Sequence, residues 1–139
     1  MEQQVYFLYT DGGSRGNPGP SGAGGVITDS SGMVVAEISV YLGVGTNNQA
    51  EYCSLVLALE RAVELGIKRV CCYMDSLLVV NQVNKRWKIN NETLRGLCEN
   101  VNAVIVNFES FQLTHIFRSS NKHADQLANQ AMDSAHIKC

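Results

Sequence analysis

The segment at residues 5–11 constrains the fold more than any other part of this sequence. It is apolar and rich in aromatic and β-branched side chains, so it predicts a buried strand, and it ends on the carboxylate of Asp11. Residues 12–20 follow with repeated glycine and proline, and we expect no regular element there. An acid at this position either begins a turn or belongs to a site, and this segment alone does not distinguish the two.

Length and composition indicate one globular domain over residues 1–139. The hydrophobic content of 45% and the charged content of 17% are typical of a soluble protein with a real core. No apolar run is long enough to cross a bilayer and no signal segment begins the chain, so we expect a cytoplasmic protein without a membrane partner, most simply a monomer. An odd set of cysteines without a C-x-x-C pair predicts reduced thiols. The set is Cys53, Cys71, Cys72, Cys98 and Cys139.

The first half of the chain predicts three antiparallel strands, a helix and a fourth strand. Two β-rich runs at residues 24–29 and 33–42 form a meander with the first strand. A helix follows at about residues 48–65, and the short apolar run at residues 70–74 ends on Asp75. Because a helix separates them, this fourth strand should lie parallel to the first. The helix should face the core through Leu55, Leu59, Ala62 and Val63.

The second half predicts three more helices and one more strand. A short helix at residues 76–84 leads through a basic connection at residues 85–88 to a helix at residues 92–106. A last strand at residues 112–117 precedes a final helix that begins at Asn121. This final helix carries an apolar stripe with helical spacing. The stripe consists of Ala124, Leu127, Ala128 and Ala131.

Four acids stand at the predicted ends of these elements. Asp11 and Asp75 end strands, whereas Glu51 and Asp125 lie on first helical turns. Each position has an ordinary structural explanation, since Asp begins turns and the helix dipole favours acids in a first turn. If the four converge, however, their repulsion and desolvation require cations. Oxygen ligands suit Mg²⁺ or Mn²⁺ rather than zinc, and two such ions about 4 Å apart are a known device for cleaving phosphodiesters.

Five short motifs, in order along almost the whole chain, resemble type 1 ribonuclease H. They are Thr10-Asp11-Gly12-Gly13, Gly16-Asn17-Pro18-Gly19-Pro20, Thr46-Asn47-Asn48-Gln49-Ala50-Glu51, Asp75-Ser76, and Asn121 followed by Ala124-Asp125. The resemblance implies an α/β fold of the ribonuclease H kind. Its five-stranded mixed sheet would have three antiparallel strands and two parallel ones, flanked by helices.

The resemblance also implies an activity, namely hydrolysis of the RNA strand of RNA–DNA hybrids with two Mg²⁺ ions. The products would carry 5′-phosphate and 3′-hydroxyl ends. Carried over by position, Asp11 bridges both ions and Asp125 holds the ion that activates the attacking water. Glu51 and Asp75 hold the ion at the leaving oxygen.

Polar residues at loops and helix starts match the family's contacts to the hybrid. The resemblance implies that Asn17, Asn47 and Asn48 read 2′-hydroxyls in the wide minor groove. It implies that Thr46 and Asn121 hold a phosphate of the DNA strand. Local roles are open alternatives, because Asn17 suits a turn, and Asn47 and Asn121 suit helix caps.

The chain departs from the best-known family members in its connection at residues 85–91. Those members carry a basic, tryptophan-containing helix and loop there, and this connection is too short for it. Arg86, Trp87 and Lys88 form a reduced substitute, which predicts modest, salt-dependent affinity for hybrid. A role in packing is the alternative for Trp87.

A second departure concerns the loop before the last acid, where many members place a histidine that aids product release. Here the loop shortens to Arg118-Ser119-Ser120, and Arg118 is the candidate for that role. We expect His115 to be structural and His123 to face solvent.

Two other functions remain open at this point. The chain could be a catalytically silent hybrid-binding module, although retaining four acids would weaken phosphate binding. It could also be another nuclease of the same fold that acts on double-stranded RNA or DNA. Transposases and junction nucleases of this fold usually carry longer insertions, which this chain lacks.

Overall fold

The computed structural model describes residues 4–134 of this chain. They form five strands, four α-helices and a single 3-10 turn at Arg118–Ser120. The strands are β1 (Tyr6–Ser14), β2 (Gly19–Thr28), β3 (Val34–Gly45), β4 (Arg69–Met74) and β5 (Ser110–His115). The helices are α1 (Asn47–Glu64), α2 (Leu77–Val83), α3 (Glu92–Ile105) and α4 (Lys122–Ser134).

The strands form one mixed sheet in the order β3-β2-β1-β4-β5. The pairs β1–β2 and β2–β3 are antiparallel, whereas β4 lies parallel to β1 and β5 lies parallel to β4. This arrangement confirms the predicted fold class, with three antiparallel strands and two parallel ones. The parallel pairing of β1 and β4 follows from the helical crossover α1 between β3 and β4.

The two faces of the sheet are covered by different helices. Helix α1 lies on one face with α2 and α3, and its Leu55 and Leu59 are completely buried in the main core. Helix α4 packs on the other face, against β1, β2 and β3. The prediction for Val63 was wrong, because the helical turn carries it away from the sheet and leaves it 36% exposed.

The glycine-rich segment after Asp11 is mostly strand, contrary to the prediction. β1 continues through Gly12, Gly13 and Ser14, which pair with the first part of β2. Glycine is required at residue 12 because a Cβ there would overlap the carbonyl of Ala50 in α1. Asp11 therefore lies inside a strand, and only the short loop at residues 15–18 lacks regular structure.

Most other boundaries lie within two residues of their predicted positions. Helix α1 is capped by Thr46, whose side chain accepts from the Gln49 backbone N–H while the Gln49 side chain accepts from the Thr46 N–H. The connection between α2 and α3 contains no helix. Over residues 4–134, no helix combines the length and apolar character that crossing a bilayer demands.

The cysteines that the structure describes are free thiols, as predicted. Cys53 lies in α1, Cys71 and Cys72 lie in β4, and Cys98 lies in α3. Cys139 falls outside the described residues.

Candidate active site

Three carboxylates lie close together beside the carboxyl end of β4 and the neighbouring part of β1. An oxygen from each of Asp11, Glu51 and Asp75 lies within 4.8 Å of the others. The parallel register places Thr10 opposite Met74, so the next residue on each chain segment, Asp11 and Asp75, emerges side by side. The alignment of two neighbouring strands thus brings together acids that are far apart in sequence.

Glu51 reaches this cluster from α1, but from its second turn rather than its first. The helix begins at Asn47, which places Glu51 one turn further along. The Gly12 backbone N–H donates a hydrogen bond of 3.0 Å to Glu51 Oε1. This bond orients the Glu51 carboxylate, and it forms because the missing side chain at Gly12 lets α1 approach β1 closely.

Asp125 approaches from the opposite layer, on the first turn of α4 as predicted. Its carboxyl group is close enough to that of Asp11 to help raise the pKa of Asp11, after the larger effect of burial. It lies outside the cluster of three carboxylates but lines the same cavity, which has a volume of about 600 Å³. All four acids therefore face one cavity, and their individual roles stay predictions.

The electrostatics of this cavity oppose the presence of several carboxylate charges. Burial, followed by the contacts with Asp125 and Asp75, raises the pKa of Asp11 from 3.8 to about 8. Burial, followed by the charge of Asp11, raises the pKa of Glu51 well above its ordinary value. Burial also raises the pKa of Asp75. Without added positive charge, the site therefore retains protons that exposed acids would lose.

This donor set fits magnesium or manganese. The clustered ligand atoms are all carboxylate oxygens, which are the hard ligands that these ions prefer. Bound cations would also oppose the burial and the mutual repulsion that raise these pKa values. Asp11, Glu51, Asp75 and Asp125 are thus the residues that could hold divalent ions.

Arg118 lies at the rim of the cavity on the 3-10 turn. Its Nη2 is 3.6 Å from Asp125 Oδ1, and its side chain is 80% exposed. Its positive charge lowers the pKa of both Asp75 and Glu51, against the larger effect of burial. An exposed arginine beside the acids can reach a phosphate without leaving its place in the fold.

The two histidines within residues 4–134 differ in their surroundings. His123 is exposed, as predicted, and its Nε2 lies 2.7 Å from Glu37 Oε2. His115 ends β5 and contacts the ring of Phe117 edge-on, but it also lines the acid cavity. The sequence did not indicate this second position for His115.

Three asparagines lie in the loop after β1 and at the beginning of α1. The Asn47 backbone N–H donates to Asn17 Oδ1 at 3.1 Å, and Asn47 Oδ1 accepts from the Ser14 N–H at 2.8 Å. Thr46, not Asn47, is the helix cap. Asn17, Asn47 and Asn48 are all exposed, and the last two line the acid cavity. Their exposed amides are accessible to a ligand.

Asn121 is more deeply buried than we would expect of a residue that contacts a phosphate at the protein surface. It is only 2% exposed, and its Nδ2 donates to the backbone oxygen of Thr10 at 2.8 Å. Its side chain therefore links the beginning of α4 to β1, which is a structural role. The predicted contact with a phosphate stays a prediction, and it would have to be made through a nearly closed surface.

The basic connection lies away from the four acids. Arg86, Trp87 and Lys88 are exposed, and they do not line the acid cavity in the described part of the chain. Trp87 is 46% exposed, so about half of its surface is accessible to a ligand. The Lys88 carbonyl accepts from Gln82 Nε2, which positions the connection against α2.

Arg15 and Phe117 also line the cavity, and the sequence pattern did not single them out. Arg15 pairs with Asp133 on α4, with 2.6 Å between Nη1 and Oδ1. The position of Arg15 in the loop after β1 could have indicated that this residue lines the cavity. Phe117 is adjacent to Arg118, but the sequence pattern placed it in a strand that in fact ends at His115.

Known proteins resemble this chain over nearly its whole length. A family model described as reverse transcriptase-like matches residues 9–131. Ribonuclease HI of Halobacterium salinarum is 41% identical over 127 residues, which cover 91% of this chain. The crystal structure of RNase H1 from the same organism has a TM-score of 0.92 at 39% identity, covering 94% of this chain and 98% of that one. The chain belongs to the type 1 ribonuclease H family.

Two further proteins are similar to this ribonuclease H domain over most of its length. A bifunctional protein of Mycobacterium tuberculosis is 44% identical over 129 residues, covering 92% of this chain. LC11-RNase H1, solved in complex with an RNA/DNA hybrid, has a TM-score of 0.89 at 39% identity, covering 94% of this chain and 98% of that one. The chain spans 64% of the length of the Halobacterium relative and 35% of the mycobacterial one.

Asp11 should make the stability of this ribonuclease H domain depend on pH when divalent ions are absent. Its pKa in the folded state, about 8, exceeds its ordinary value of 3.8, so its stabilising contribution is complete below about pH 4. That contribution is lost as the pH rises through about 8. Asp11→Asn should therefore raise the Tm in EDTA at pH 8 by several degrees and flatten its pH dependence, as measured by calorimetry.

Asp29 provides a control of opposite sign for this prediction. Hydrogen bonds from Ser31 and Met33 lower the pKa of this exposed carboxyl group. Its contribution is present above its unfolded pKa and lost as the pH falls, so Asp29→Asn should lower the Tm at pH 8. Equal Tm changes in the two variants would contradict the opposite pKa shifts assigned to Asp11 and Asp29.

Proposed function

We propose that this domain hydrolyses the RNA strand of RNA–DNA hybrids. The observation that carries the proposal is the convergence on a single cavity of four acids, which come from β1, α1, the end of β4 and α4. Family membership supports it, as does the related LC11-RNase H1, whose structure contains a hybrid. All four acids come from one chain, so a monomer suffices for the activity.

Two Mg²⁺ ions, or Mn²⁺, would be held by Asp11, Glu51, Asp75 and Asp125. The carboxylate oxygens within 4.8 Å of each other and the raised pKa values support this assignment. When bound, such ions activate water as a nucleophile and stabilise the departing 3′-oxygen, which leaves 5′-phosphate and 3′-hydroxyl ends.

The protein's own groups orient these acids before substrate arrives. The Gly12 N–H fixes the Glu51 carboxylate, and the hydrogen bond from Asn121 Nδ2 to the Thr10 carbonyl joins α4, which carries Asp125, to β1, which carries Asp11. Arg118 sits 3.6 Å from Asp125 and is mostly exposed, so it can transfer its contact to the new phosphate and help the product leave. Preorganisation of this kind lowers the reorganisation needed in the transition state.

Selection of hybrid over other duplexes would depend on exposed polar side chains in the loop after β1 and at the beginning of α1. Asn17, Asn47 and Asn48 can reach 2′-hydroxyls in a wide, shallow minor groove. Thr46 caps α1, and its side-chain oxygen accepts a hydrogen bond from the Gln49 N–H. The hydroxyl proton of Thr46 is therefore free to donate to a phosphate. In the basic connection at residues 85–88, Arg86, Trp87 and Lys88 would supply a weaker, salt-dependent contact outside the cavity.

A cleavage assay with three labelled duplexes tests this proposal. We expect the domain to cut the RNA strand of a hybrid in Mg²⁺ or Mn²⁺, to leave double-stranded DNA intact, and to stop in EDTA. Cleavage of double-stranded RNA or DNA in preference to hybrid would identify another nuclease of this fold. Tight hybrid binding without cleavage in either metal would identify a silent binding module.

A further inference from the structure

Phe117 is a large apolar side chain left exposed at the rim of the acid cavity. Over residues 4–134, only Val44, Val106 and Phe117 are large apolar side chains with exposure above 70%. Phe117, at 78%, lines the cavity with the four acids, whereas the two valines do not. Single exposed apolar residues are ordinary on protein surfaces, so the informative feature is the position of this one.

The backbone around Phe117 is held in place before any ligand arrives. On one side, the Ile116 N–H donates to the Met74 carbonyl at 3.0 Å, which anchors the chain to the end of β4. On the other side, the Phe117 carbonyl accepts from the Ser120 N–H at 2.9 Å. The ring meets His115 edge-on, with 6.1 Å between centroids and an interplanar angle of 81°. A ring supported in this way loses little conformational entropy on binding.

The surroundings of Phe117 favour a nucleotide over other apolar ligands. Arg118 follows it directly and can contact a phosphate, so ring and cation stand next to each other. The four acids nearby repel phosphates, and an uncharged ring can add affinity there without depending on charge. In a hybrid the bases are stacked inside the duplex, whereas the riboses are exposed along the minor groove.

We infer that Phe117 packs against the ribose of a nucleotide in the cleaved strand, next to the scissile phosphate. The inference rests on the proposed function, because it takes the hybrid as the ligand. Arg118 contacts the phosphate backbone, and the ring of Phe117 covers the adjoining sugar. Phe117 is then a residue that positions the RNA strand over the acids.

Binding of labelled hybrid in Mg²⁺ tests the inference, with Asp11→Asn as the parent protein so that binding is measured without cleavage. Adding Phe117→Ala should weaken binding about tenfold, because the apolar area that the ring buries is lost, whereas Phe117→Tyr should bind within about twofold of the parent. Val106→Ala is the matched control, because Val106 is equally exposed but lies at the end of α3, and it should leave the affinity unchanged.

Salt dependence separates this contact from an electrostatic one. The ratio of affinities between parent and Phe117→Ala should stay constant from about 50 to about 200 mM salt, while the affinity of both proteins falls. In the background with Asp11 intact, Phe117→Ala should raise KM for hybrid cleavage and change kcat less than about twofold.

The outcomes are distinct. If the unmodified protein neither bound nor cleaved hybrid, the proposed function would be wrong and this inference would fail with it. If only the Asp11→Asn parent failed to bind, the KM of Phe117→Ala with Asp11 intact would decide the inference. If Phe117→Ala left the affinity of the parent for hybrid unchanged, the inference alone would be overturned. An equal loss in the Val106→Ala control would also overturn it, since the effect would then be unspecific. All variants should melt within about 2 °C of their parent, because both altered side chains are exposed.

Discussion

Asp11→Asn is expected to lower kcat for hybrid cleavage about a thousandfold or more in Mg²⁺. Asp11 is the most central of the four acids, because Asp125 and Asp75 add to the effect of burial on its pKa and its own charge helps raise the pKa of Glu51. An amide retains the shape of this side chain but removes the negative charge that would hold divalent ions. Initial rates on a labelled hybrid measure the effect.

An acid outside the cavity provides the control for this substitution. Glu60 is exposed on α1, the helix that also carries Glu51, and Glu60→Gln should keep near-normal kcat. Circular dichroism should show both variants folded. If Asp11→Asn cleaved hybrid at rates close to those of the unmodified protein, the assignment of the acid cluster as the catalytic centre would be wrong.

Gly24→Ala is expected to reduce the free energy of unfolding by about 3 kcal/mol or more. Gly24 pairs with Asp11 across β1 and β2, and a Cβ there would overlap the Ala124 carbonyl in α4. The clashing atoms belong to the helix backbone and cannot rotate away, so α4 must shift as a whole. Urea unfolding measures the loss, and activity should fall too because α4 carries Asp125.

Gly96 gives a matched substitution with the opposite sign. It lies inside α3, and a Cβ there meets nothing within 4 Å. Gly96→Ala should therefore stabilise the protein by about 0.5–1 kcal/mol, since alanine loses less backbone entropy in a helix. Similar effects of the two substitutions would show that close packing between α4 and β2 is not the cause at Gly24.

The differences between the predicted and observed elements share one cause, which is contact between distant segments. The strand character of Gly12 and Gly13 depends on pairing with Gly22 and Ala23, because glycine has little strand preference of its own. Val63 was assigned to the core from helical spacing alone, yet it lies on the side of α1 that the sheet does not cover. Local periodicity contains no information about how far around a helix the neighbouring surface reaches.

Asn121 shows the same limit at the site. At the beginning of a helix, an asparagine suits a cap or an exposed ligand contact equally well. Its burial and its bond to the Thr10 carbonyl depend on how closely α4 packs on the sheet, and Gly22 and Gly24 in β2 permit that approach. The structural role of Asn121 therefore depends on tertiary packing and not on its local sequence.

The amino-acid pattern was sufficient for the order of the elements, the mixed sheet and the choice of the four acids as candidates. Those features depend on apolar periodicity, helix caps and the placement of acids near strand ends, which are properties of neighbouring residues. The distances within the acid cluster, the raised pKa of Asp11 and the position of Phe117 depend on packing between segments far apart in the chain. Burial and mutual repulsion exist only once those segments meet, so the chemistry of the cavity is a property of the folded chain.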